Sequence, residues 1–129
     1  MKSLLVAGMI LFLIGLLSGL FIPYFENAHM GQTAHLVGVQ NSIVLIVFGL
    51  TLNYISLSTM FLNLFIILSV YSMYAIWLSV ALAGFSNVNS NTSIANEGIT
   101  ASNMLLYSGS LAIIIATLLI IIWLMHEKF

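Results

Sequence analysis

The chain has no cysteine, which excludes disulfides, thiolate nucleophiles and thiolate-held metals. Arginine and aspartate are also absent. Lys2, Lys128, Glu26, Glu97 and Glu127 are the whole charged complement, 4% of 129 residues. A soluble globule carries charge on about a quarter of its residues. That surface cannot be built here, so a water-soluble enzyme and a disordered tail are both excluded. Two terminal lysines give phosphates no electrostatic footing, so nucleic acid is excluded as a partner.

What is present is hydrocarbon: 62% of residues are hydrophobic. Four apolar stretches stand out, at about residues 4–22, 36–54, 60–84 and 104–125. At ~1.5 Å per helical residue, each crosses a ~30 Å hydrocarbon core. Strands would alternate apolar and polar residues. Runs such as Ile113-Ile114-Ile115 and Ile120-Ile121-Ile122 are apolar on every face. Backbone in lipid must satisfy its own hydrogen bonds, which selects helices. The first stretch follows Lys2 in the manner of a signal peptide. It is longer than a signal's apolar core, and no clean small-x-small site follows, so it is expected to stay as a span. The expected fold is an all-α membrane protein, a single domain over 1–129 with a four-transmembrane-helix bundle.

The expected connections are a polar loop at 23–34 opened by Pro23, a tight turn at 55–59, and an Asn/Ser-rich loop at 85–103. No loop carries Lys or Arg. By the positive-inside rule, Lys2 and Lys128 place both termini in the cytoplasm.

Chemistry concentrates where the first loop enters the second span. His35, Gln40 and Asn41 are polar groups at or inside the membrane boundary. Burying them unpaired costs a few kcal/mol, so each marks either a helix contact or a site. The bland reading of His35 is an interfacial side chain wetted by headgroups. At 100° per residue, Gly38 lies ~60° from His35 on the same side of a helix. Its missing side chain leaves a shelf for a flat cofactor or for a close helix. Asn41 is ~9 Å further along and ~120° around, so it shares a large cavity with His35 but not a small one.

The run Asn27-x-x-Met30-Gly31-x-x-Ala34-His35-Leu36-x-Gly38-x-x-Asn41 resembles the signature of hydroxylaminobenzene mutases. Those are small four-helix membrane proteins related to styrene oxide isomerase. Tyr71-x-x-Tyr74-Ala75-x-Trp77 and Glu97-Gly98 resemble further parts of the mutase pattern. The resemblance implies a homotrimer that binds haem b between subunits, with His35 as the iron ligand. It implies that ferric iron acts as a Lewis acid on a substrate oxygen, and that Asn41 orients the substrate. A buried neutral imidazole is a good axial ligand, and an amide donates to an oxygen without importing charge.

The chain departs from the pattern at several points. Ala28-His29 stands where the mutases usually have Pro-Arg, so His29, loop amides or water would meet the haem propionates. Ile76 replaces an asparagine, and the isomerase's catalytic tyrosine falls near Val80. Tyr71 or Tyr74 would have to supply the hydroxyl. Tyr71, Tyr74 and Trp77 also read as helix packing. Glu97 reads either as charge at a helix start or as the acceptor of the His35 ring N–H.

The expected function is a membrane isomerase or mutase rearranging a small apolar aromatic substrate: arylhydroxylamine to aminophenol, or epoxide to carbonyl. The expected location is a bacterial plasma membrane. The alternative is a non-enzymatic accessory or haem-binding subunit, or a small transporter. The spans carry no charged residue, which argues against ion or proton coupling.

Overall fold

In lipid there is no hydrophobic drive between helices, so small residues that let backbones approach decide which faces meet. The first helix, α1 (Lys2–Leu20), buries Leu4, Gly8, Leu11, Gly15 and Ser18. That spacing of three and four makes one seam. The second, α2 (Ala28–Thr51), buries Gly31, Ala34, Gly38, Ser42, Leu45 and Gly49 in the same rhythm. The two seams cross antiparallel, and at Gly15 and Gly38 the backbones touch. A Cβ on Gly38 would stand 2.7 Å from Gly15 Cα, and one on Gly8 would stand 3.1 Å from the Ser42 carbonyl oxygen.

The third and fourth helices are α3 (Thr59–Phe85) and α4 (Ser93–His126). They meet through Ser72, Ala75 and Gly109, where a Gly109 Cβ would lie 3.1 Å from the Ser72 carbonyl oxygen. Ser102 adds a hydroxyl bond to the Ser79 carbonyl at 2.6 Å. This computed structural model describes residues 2–85 and 93–126, with 93–99 as backbone alone.

All four helices are long and apolar enough to cross a membrane. Among the described residues, α2 lies between α1 and α3, and α4 packs on α3 alone. The bundle is therefore open. A core of Leu4, Leu11, Leu45, Leu52, Phe65, Met73 and Ala116 ties the helices together. Clefts remain where α1 and α3 only brush past each other. One, beside the α1–α2 connection, about 250 Å³, is lined by Phe21, Phe25, Trp77 and Phe85. The other, beside the start of α1, about 450 Å³, is lined by Lys2, Ala7, Ile10, Val70 and Tyr74.

Two helix starts differ from the sequence expectation. α2 begins at Ala28 rather than near residue 36, and α4 begins at Ser93 rather than near residue 104. The polar residues before each apolar run continue the helix instead of forming a loop. For α2 the reason is visible. Asn27 caps the helix, its side chain accepting from the Met30 amide at 3.2 Å. The Asn27 amide in turn donates to the Gly84 carbonyl at 3.1 Å. Phe25 is buried between Gly31 and Gly84 and stacks on Phe85 at 4.2 Å between centroids. The first connection is thus plugged into the end of the bundle where α1 and α3 finish and α2 begins.

Candidate functional site

Because α2 starts early, His35 sits two turns inside it rather than at its entry. Its ring turns toward α1, where Nδ1 stands 2.7 Å from the Gly15 carbonyl oxygen. A carbonyl only accepts, so Nδ1 carries the proton and donates. In the neutral ring the lone pair is then on Nε2. Gly19 makes room for this pose, since a Cβ there would lie 2.8 Å from Nδ1. The Gly15 carbonyl accepts the ring N–H for which Glu97 was one expected acceptor. The Glu97 side chain lies outside the described residues.

An imidazole with one nitrogen anchored to backbone and the other left with its lone pair is the arrangement of a metal-ligating histidine. Among the described residues, no three His, Cys, Asp or Glu side chains come together. One requirement of a haem site is an axial ligand, and the His35 imidazole has the chemistry for it.

The other candidates are spread over different helix pairs. Asn41 ties α2 to α3, its Nδ2 donating to the Met73 carbonyl at 3.0 Å. One such bond leaves the amide's second N–H and its oxygen. Tyr74 ties α3 to α1, its hydroxyl donating to the Ala7 carbonyl at 2.8 Å. Tyr71 ties α3 to α4 through a 2.8 Å hydroxyl contact with Ser108. Within one protomer these groups do not converge with His35 on a single small cavity. His29 is exposed in the first turn of α2, 3.5 Å from the Thr33 hydroxyl. It lies ~9 Å above His35 and ~120° around the helix.

At Gly38 the missing side chain is used for close packing. A Cβ there would meet Gly15 Cα at 2.7 Å and Trp77 Cδ1 at 3.0 Å. Its smallness serves the close helix, the other use open to it. Trp77 packs its pyrrole edge there, with Nε1 buried and lacking a partner.

Gly15 and Gly19 were missed. The signal was present as Gly8, Gly15 and Gly19 at spacings of seven and four on α1, a small-residue stripe. Nothing in one helix says which histidine such a stripe will meet.

The sequence model of the family described as styrene oxide isomerase matches residues 1–128. The hydroxylaminobenzene mutase HabB of Ectopseudomonas oleovorans is 40% identical over 84 residues, 65% of this chain and 51% of that protein. The mutase HabA of the same organism is 40% identical over 80 residues, 62% of this chain and 59% of that protein. The aligned segments thus span about half the length of these curated relatives. No solved structure matches the chain.

Proposed function

The chain belongs to the styrene oxide isomerase family, and from that premise we propose that it is a membrane-embedded isomerase or mutase acting on a small apolar aromatic molecule. Hydroxylaminobenzene, rearranged to an aminophenol, is the first substrate class to test; an aryl epoxide opened to a carbonyl is the second. Both reactions conserve composition, so no second substrate is required. Such molecules dissolve in lipid and reach a site between helices from the bilayer. The cleft beside the α1–α2 connection, walled by Phe21, Phe25, Trp77 and Phe85, suits an aromatic ring arriving that way.

The observation that carries this reading is the His35 ring, anchored through Nδ1 on the Gly15 carbonyl with Nε2 left over. His35 would hold haem b through Nε2. When bound, ferric haem supplies a Lewis acid for the substrate oxygen. The Gly15 carbonyl fixes the tautomer and raises the basicity of the ligand. Asn41 keeps one N–H on Met73, which orients its amide, and the remaining N–H can donate to a polarised oxygen. Tyr74 would act from the α1–α3 side, where its bond to the Ala7 carbonyl borders the second cleft. Tyr71 would act from the α3–α4 side. His29, at the start of α2, is placed for a propionate rather than the iron.

The reading includes a homotrimer in a bacterial plasma membrane, with both termini cytoplasmic. Its test is an absorption spectrum of detergent-purified protein together with an assay on hydroxylaminobenzene and styrene oxide. A Soret band with turnover of either compound is expected. Turnover by a colourless protein would remove the haem. Failure to turn over either compound by a haem-loaded protein would remove the enzyme.

A further inference from the structure

We propose that the outward face of α2 is an interface between copies of this chain, closed at mid-membrane by Gln40. The proposal rests on the homo-oligomeric part of the reading above and assigns it a surface.

Gln40 lies near the midpoint of Ala28–Thr51 and is exposed. Its neighbour Asn41 is bonded to Met73, whereas the Gln40 amide has no hydrogen-bond partner among the described residues. Several hydroxyls within the spans close on their own helices: Thr117 on Ile113, Ser42 on Val39 and Ser18 on Ile14. The outward face of α1 is hydrocarbon throughout, with Val6, Met9, Ile10, Leu13 and Leu17. Lipid covers that face without penalty. It cannot cover Gln40, because acyl chains neither donate nor accept, and an unpaired amide in hydrocarbon costs several kcal/mol. About 15 Å of bilayer separates the midplane from either headgroup region. The side chain is too short to snorkel that far.

A second copy supplies the partner. Copies inserted the same way and closed by rotation share an axis along the membrane normal. That symmetry sets equal depth against equal depth, so with the outward face of α2 lining the axis Gln40 meets Gln40. A primary amide has two donors and an acceptor, which makes it complementary to itself. The same exposed stripe runs through Gln32, Leu36, Gln40, Ile43 and Val47 at helical spacing. Leu36, Ile43 and Val47 provide apolar packing around the amides, and Gln32 adds a second polar layer two turns above.

The native chain has no cysteine, so single-cysteine cross-linking has a clean background. In membranes, Leu36→Cys and Ile43→Cys, which both keep Gln40, are expected to form cross-linked dimers on oxidation. Leu13→Cys on the outward face of α1 is expected to remain monomeric on denaturing gels. Gln40→Leu should shift the association midpoint in detergent about tenfold toward higher protein concentration, the scale of one interhelical amide pair. Circular dichroism should be unchanged, since the site is an exposed helix position. Cross-linking from Leu13→Cys but not from the α2 positions would overturn the proposed surface. So would an unshifted midpoint for Gln40→Leu. A wild-type chain that stays monomeric at every concentration would instead overturn the oligomer itself.

Discussion

His35 shows how much one side chain depends on a residue it does not adjoin in sequence. Its ring is posed by a carbonyl on Gly15 and by the bare Cα of Gly19. His35→Ala is expected to abolish haem retention, read as loss of the Soret band, and with it turnover. Gly19→Ala is the subtler test. Its new methyl would stand 2.8 Å from Nδ1 and 3.1 Å from Cε1, so the ring must move by several tenths of an ångström. It should loosen haem and change the spectrum while the helices stay intact. A normal haem spectrum in Gly19→Ala would separate the ligand from the proposed pose.

Asn41 has a structural bond already, to the Met73 carbonyl. Asn41→Ala therefore removes about 1 kcal/mol of stability as a lost hydrogen bond. If the amide also orients substrate, turnover falls ~10²-fold with haem retained. A loss of thermal stability with full kcat would leave Asn41 as a helix tie alone.

At the scale of elements, the α1–α2 crossing is the joint on which the site is built. A Cβ on Gly15 would lie 2.8 Å from the Gly38 carbonyl carbon, and backbone cannot step aside as a flexible side chain can. Gly15→Leu is expected to force the helices apart, costing 1–3 kcal/mol or more as overpacking. The Gly15 carbonyl would move away from His35 at the same time. A lowered unfolding temperature in detergent together with lost haem checks both consequences. The helix starts teach a related lesson. Hydropathy marks where a helix enters hydrocarbon, not where it begins. Residues 28–35 and 93–103 read as loops because they are polar, yet both continue helices. The Asn27 cap was available as a signal for the first of them.

For the whole molecule, the charge pattern and the open bundle each make a prediction. Lys2 and Lys128 favour a cytoplasmic side for both ends. Tags at either terminus should resist protease added to intact cells, and cleavage of one alone would contradict a four-span topology. The bundle leaves α4 packed on α3 alone among the described residues. It also spreads His35, Asn41, Tyr71 and Tyr74 over separate helix pairs. A site assembled between protomers reconciles that dispersion with one activity. Native mass spectrometry in mild detergent is expected to show trimers, and a monomer at all protein concentrations would count against this arrangement.

The amino-acid sequence by itself determined the membrane class, the number of spans and their helical nature. These follow from quantities that are local and additive: run length, scarcity of charge, and the demand that lipid-exposed backbone satisfy itself. It also singled out His35, Gln40 and Asn41, because a polar group inside an apolar run is costly wherever the chain places it. Only the tertiary structure decided which partner each polar group received. The Gly15 carbonyl accepted the His35 N–H, the Met73 carbonyl accepted the Asn41 N–H, and Gln40 was left facing outward. Likewise, of the two uses open to Gly38, the fold shows the close helix. The physical reason is that helix crossings are set by the matching of two small-residue seams. The register between such seams is a property of the pair and is written in neither helix alone.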